Sequence, residues 1–391
     1  MKFTFLASTL MFSSTLMFAK CGTQAADYST SNQEMQQRHA STNSDNTRVQ
    51  VALLLDTSNS MDGLIDQAKS RLWNIINTLT TLKYKGKAPI VEIALYEYGN
   101  DGLSAESNFI RQVTPLTADL DLISEKLFSL KTNGGSEYCG AVIKKAVSQL
   151  EWGSNEADMK LVYIAGNESF NQGNISYKEV IPDALRRNIF INTIHCGNYQ
   201  TGVSDSWKDG AERGKGKYFN IDSDKKVRFI ETPYDAKIEA CNQRMNHTYI
   251  SYGAQGESKK RSQMEQDANA GSVSKANYTE RAVSKSKAAY KNDSWDLVDK
   301  MKDDKAALNK ISEEELPTEM KGKSKAEKEA MVAAKTKERA EIQKEIEVLA
   351  KKRQAYIDEE QKKSKTEDDL GEAINSSILA LAHTKGYVVE K

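Results

Sequence analysis

The sequence predicts a doubly wound α/β domain with a mostly parallel sheet, followed by a charged and mostly helical C-terminal region. Three observations carry this. Between about Thr47 and Lys226, near-continuous apolar runs alternate with segments of helical spacing, as in strands buried on both faces between crossover helices. After about Ala254, large apolar residues thin out and Ala, Lys, Ser and Glu dominate, a composition of good helix formers. With 391 residues, the chain is long enough for one large domain and a second region.

The elements follow in order. Residues 1–25 read as a signal peptide: Lys2 precedes "FTFLASTLMFSSTLMFA", and Thr23 and Ala25 form a small-residue cleavage site before Ala26. The stretch is short and Ser/Thr-rich for a membrane anchor, and no later segment is apolar enough to span a bilayer. Lys20 before Cys21 argues against lipidation. The expected location is therefore exported: periplasmic, cell-surface or secreted. Residues 26–46 are polar and read as a linker.

The α/β domain is expected over residues 47–226. "VQVALLL" is its first strand, and Leu64, Ala68, Leu72, Ile75 and Leu79 mark the first helix. "PIVEIALYEYG" is a strand over Ile90 to Tyr98, and "PLTADLDLISEKLFSL" starts a helix capped near Thr117 or Asp119. "GGSEYCGAVIKKAVSQL" is a glycine turn feeding a helix. "MKLVYIAG", "IFINTIHCG" and "GKYFNI" are strands, with "KEVIPDALRR" and "SWKDGAERG" as the helices between them.

Residues 227–253 read as one flanking helix, and 254–391 as the charged helical region. The latter's helix formers show no core-sized apolar face. Pro317 and Gly322 break it, and Lys325 to Lys363, free of Pro and Gly, is predicted as one helix. Within it, Ile342, Ile346, Leu349, Arg353 and Tyr356 repeat at four-three spacing over barely two heptads. A coiled coil, a helical hairpin and an intramolecular arm all fit, and oligomerisation through the tail stays open. "TEDDLGEAINSSILALAHTKGYVVE" closes the chain as a capped helix and a small apolar end.

Lysine plus arginine balance aspartate plus glutamate at 55 each, so no basic excess points to nucleic acid. The tail's lysines alternate with acids, the pattern of a solvated helix face.

The chemistry concentrates at "LLLDTSNSMDG". Ligands of open α/β sheets sit beyond the carboxyl ends of the strands. Asp56, Ser58 and Ser60 stand there at alternate positions. One carboxylate and two hydroxyls are an all-oxygen set that suits a hard cation such as Mg2+. The bland use of the same residues is to cap the helix that follows.

D-x-S-x-S after an apolar strand resembles the metal-ion-dependent adhesion site of von Willebrand factor type A domains. The likeness extends over the α/β region, about half of the chain, and is closest to exported bacterial members with a charged helical tail. It implies a non-enzymatic module that holds Mg2+, or Mn2+ or Ca2+, and binds a protein partner through an acidic side chain of that partner. It further implies a third-element hydroxyl, here Ser136 in "NGGSE". The family's fourth element is an aspartate after the next strand. "IAGNESF" has none, and Asn167 or Glu168 is the nearest substitute. The competing expectation is an envelope scaffold acting through its helical tail, with a degenerate metal site.

Other readings are weaker. Cys139 and His195 as a hydrolase pair lack a nucleophile motif and a third group. The histidines show no zinc spacing. Removal of the leader takes Cys21 and leaves Cys139, Cys196 and Cys241 in an oxidising compartment. Cys139 and Cys196, both at the carboxyl side of the sheet, are the disulfide candidates, which requires Cα atoms within about 7 Å.

Overall fold

The computed structural model describes residues 47–222, 224–363 and 370–389. The expected signal peptide and linker lie outside the described residues. Strand β1 (Arg48–Asp56) is buried along almost its whole length because it pairs with a parallel neighbour on each side. Those neighbours are β3 (Ile90–Tyr98) and β5 (Met159–Gly166). With β4 (Ile110–Thr117), β6 (Ile189–Cys196) and β7 (Lys215–Ile221), they form a six-stranded sheet of order β4-β3-β1-β5-β6-β7. The order reverses direction about β1, so the ends of β1, β3 and β5 form the crevice where such sheets bind ligands.

β4 was not expected as a strand. It is the antiparallel edge of the sheet, and only part of it is buried, so it lacks the apolar run that marks the inner strands. The helix expected after it begins at Leu120, and Asp119 is its cap, accepting from the Leu122 amide at 2.9 Å.

Successive β1 residues point to opposite layers. Val49, Val51, Leu53 and Leu55 pack under α1 (Asp62–Thr80) and α2 (Leu120–Ser129). Ala52 and Leu54 pack under α3 (Cys139–Gln149), α4 (Tyr177–Arg186) and α6 (Trp207–Arg213), the last preceded by a short α5 (Tyr199–Ser204).

The rest of the chain adds to the first layer. It comprises α7 (Asp235–Asn246), α8 (Gly256–Val273), α9 (Lys275–Lys285), α10 (Leu297–Asp303), α11 (Lys325–Lys363) and α12 (Leu370–Thr384). Ile238, Met245, Ala282, Ile342, Ile346, Ile374 and Ile378 share one core with α1. Ile250, Leu297, Leu316, Met320 and Val332 form a smaller core beside it. No single helix here has a core-sized apolar face, yet together they join the core: each contributes a few apolar side chains and they bury polar ones between them, such as Gln263, Gln266 and Asp267 of α8. The four-three seam of α11 is used inside the chain, with Ile342 and Ile346 buried and Tyr356 exposed. At the far end, β8 (Tyr387–Val389) pairs antiparallel with β2 (Leu82–Tyr84), so the last described residues return to the α/β domain. No helix among the described residues is long and apolar enough to cross a membrane.

Candidate metal centre

Asp56 is the last residue of β1 and has no solvent exposure. Its Oδ1 accepts from the Ser58 amide at 2.7 Å, folding the chain into a tight turn. Ser58 Oγ and Ser60 Oγ lie 3.2 Å apart, as alternate positions of an extended turn allow. Neither the short 3-10 turn Asn59–Met61 nor α1 receives a side-chain cap. The capping use of the serines is therefore not what the geometry shows. Asp56 Oδ2 is buried with no hydrogen-bond partner.

The third element arrives by backbone anchoring. Asn133 donates its amide to Thr57 O at 2.9 Å, and the Asp101 amide donates to Gly134 O at 2.5 Å. Asn100 Nδ2 reaches Lys131 O at 2.9 Å. Gly135 lies so close to the end of β3 that a Cβ there would sit 2.2 Å from Gly99 O. This brings Glu137 up to the turn. Glu137 is 4% exposed, and its carboxyl interacts with Asp56 and Ser58 strongly enough to move both carboxyls' titration. Ser136 is half-buried. Gly99, at φ +77°, makes room: a Cβ on it would lie 2.7 Å from Glu137 Cγ and 2.8 Å from Asp56 Oδ1. Glu137 was missed because Ser136 offered the hydroxyl that the family resemblance called for. The available signal was an acid one residue on, just ahead of a helix.

The fourth element contributes an amide. Asn167 Nδ2 donates to Ser60 Oγ at 3.0 Å, and its Oδ1 is buried without a partner. Glu168 is exposed; its carbonyl accepts from Trp207 Nε1 at 2.7 Å, and its charge acts on Glu137.

Burial, then the hydrogen bond and charge of Glu137, push the Asp56 carboxyl well above the usual range. Burial likewise pushes Glu137 up. Among the described residues neither carboxyl has an ion-pair partner, and no group of three or more His, Cys, Asp and Glu converges to hold a metal. The donors at the turn are two carboxylates, two hydroxyls and an unpartnered amide oxygen. This all-oxygen set, with two orphaned acceptors, fits a hard divalent cation. A shallow cleft of about 360 Å³ opens nearby, lined by Asp62, Ile65, Asp66, Lys69 and Lys131 among others.

The cysteines are free and buried. Cys139 packs in the α3 layer and Cys196 in the α1 layer, on opposite faces of the sheet. The expected Cys139–Cys196 bridge is therefore absent, because strand-end proximity in sequence does not put side chains on one face. Burial also pushes the Cys139 thiol up, the reverse of an activated nucleophile. His195 packs against Trp207 with ring centroids 5.8 Å apart.

Residues 50–230 match the von Willebrand factor type A domain. No curated protein matches the chain. Among solved structures, an aerotolerance-related membrane protein from Bacteroides fragilis is 15% identical, with TM-score 0.31, over 44% of this chain and 92% of that one. A proximal thread matrix protein from the mussel byssus, solved with a zinc-occupied metal site, is 14% identical, with TM-score 0.35, over 46% and 43%. A pilus adhesin from Lactobacillus rhamnosus is 12% identical, with TM-score 0.34, over 46% and 28%.

Proposed function

We propose, from the premise that residues 50–230 belong to the von Willebrand factor type A family, that this is a metal-dependent protein-binding module of an exported chain. A divalent ion, Mg2+ or else Mn2+ or Ca2+, is held beyond the end of β1 by Asp56, Ser58 and Ser60, and presents an open position to a protein partner. The observation that carries this is the buried, unpartnered Asp56 Oδ2 beside two hydroxyls that cap no helix. Loss of a buried acceptor's partner costs about 1–3 kcal/mol, more for a charged group, and a bound cation removes that cost.

The ion supplies a fixed charge and an acceptor site for one outside oxygen. Asp56 anchors it, Ser58 and Ser60 orient it, and Asn167 restrains Ser60. An acidic side chain of the partner completes such an ion only where the chain leaves it net positive. Export rests on the leader-like residues 1–25 and would deliver the module to an oxidising compartment.

The scaffold reading draws less support. The helices after Gly253 are packed onto the α/β domain, with Ile342 and Ile374 in its core, so they do not form a free interaction arm. Calorimetric titration of Mg2+ and Mn2+ into the wild type and Asp56→Ala tests the metal. Proteins recovered with the chain in Mg2+ and in chelator test the partner. Equal heats in both proteins, and the same recovered set in both buffers, would refute the reading.

A further inference from the structure

We propose that Glu137 is the second charged ligand of this ion, so that the chain itself neutralises a divalent cation. The open position then takes a neutral oxygen of the partner, a hydroxyl or a carbonyl, instead of a carboxylate. This rests on the metal-dependent reading above and adds the ligand and the partner chemistry.

The geometry places Glu137 firmly. Its amide donates to the side chain of Gln172, and its carbonyl accepts from the Cys139 amide at 3.2 Å. The loop before it is tied to Thr57 and Asp101. Its side chain lies beside Asp56: Glu137 Cγ and Asp56 Oδ1 lie 2.7 and 2.8 Å from one point above Gly99. Two buried carboxylates this close repel each other unless a proton or cation lies between them. No lysine or arginine pairs with either among the described residues. Every other donor at the turn is neutral, and hydroxyl and amide oxygens do not change the charge count.

That count decides the partner. With Asp56 as the only carboxylate, a divalent ion keeps one positive charge and attracts an acid. With Glu137 added, the charge is balanced, and exposed Glu168 adds negative potential near Glu137. A partner carboxylate then meets no net attraction and a like charge nearby, an arrangement that costs affinity. A neutral donor needs only the ion's local dipole attraction and leaves the balance intact.

The test uses the full chain stripped of metal, Mn2+ as the ion and acetate as the carboxylate probe, at constant ionic strength. Wild type should bind Mn2+ with an affinity that acetate does not change. Glu137→Gln should bind at least about tenfold more weakly, while Ser136→Ala stays within about twofold. Glu137→Ser, which installs a hydroxyl, should bind weakly and tighten with acetate. In chelator, Glu137→Gln should melt above wild type, because the carboxylate pair is relieved. Wild-type affinity in Glu137→Gln, loss of affinity in Ser136→Ala, acetate tightening in wild type, or a Glu137→Gln that melts lower or fails to fold would each overturn the proposal while leaving a metal-dependent module standing. Absence of any Mn2+ binding by wild type would overturn both.

Discussion

Asp267 and Asp56 are both buried carboxylates, and their surroundings are opposites. Asp267 of α8 accepts from Arg281 Nε at 2.6 Å and from Lys285 Nζ at 2.9 Å. Arg281 also reaches Asp121 of α2 at 2.7 Å and lies 4.6 Å over the Trp73 ring of α1. Arg339 pairs with Asp296 at 2.6 Å while lying 4.0 Å over Tyr249, and Arg353 pairs with Asp235 at 2.9 Å. Even Glu97, near the strand ends, is held by Arg111. Among the described residues, Asp56 and Glu137 have no cation beside them, only each other, neutral groups and the charge of Glu168. In the helical region, each buried acid is matched by a cation of the chain, which fixes how the helices dock. At the strand ends no cation among the described residues matches them, which is why the proposed function brings one from outside. The difference separates charges that hold the fold from charges that await a ligand.

The largest test of that contrast removes the helical region altogether. A chain ending at Gly253 loses Ile342, Ile346, Ile374 and Ile378 from the core it shares with α1. Burial of four such side chains is worth about 6–12 kcal/mol, the scale of a whole domain's stability of about 5–15 kcal/mol. The truncated protein should show no cooperative melt by circular dichroism; a wild-type-like melt would mean that the α/β domain stands alone.

Next in size is a single paired cation. Arg281→Ala leaves Asp121 and Asp267 buried without it and should cost about 3–5 kcal/mol in urea unfolding, with metal affinity unchanged. Asp56→Ala should do the reverse. It should remove most of the Mg2+ affinity and leave the urea midpoint of the chelated protein at or above that of wild type, since a buried unpaired charge is gone.

Acid provides the next measurement. Burial alone would raise Asp267, but Lys285 and Arg281 outweigh it and hold this carboxyl below its usual 3.8. A lowered folded value means that the unfolded chain takes up the proton first, so this contribution is complete above 3.8 and is lost as pH falls below it. The acid limb of a stability–pH profile should flatten in Asp267→Asn. An unchanged limb would assign the acid sensitivity elsewhere. The smallest expected effect is Glu168→Gln: the side chain is exposed, so metal affinity should move by less than about threefold. A loss as large as that of Asp56→Ala would make Glu168 the fourth-element ligand.

How much was legible follows from what each feature depends on. The inner strands, α1 and the single α11 helix follow from local composition, because a strand buried on both faces must be apolar throughout and an uninterrupted run of helix formers has no competing state. Asp56, Ser58 and Ser60 are legible too, since alternation within one turn is a local property. The edge strand β4 was not, because its stability comes from β3. The shared core was not, because α8 and α9 bury charges matched only by partners far along the chain, as Arg281 is by Asp121. The same reason hid Glu137 beside Asp56. How Glu137 comes up to Asp56 turns on how residues 131–136, a loop between two helices, lie against Thr57 and Gly99 at the ends of β1 and β3. By itself the sequence determined the sheet's inner strands, the oxygen cluster of Asp56, Ser58 and Ser60 and the long helix. Tertiary packing alone decided which buried acids found cations, and among the described residues it left Asp56 and Glu137 without one.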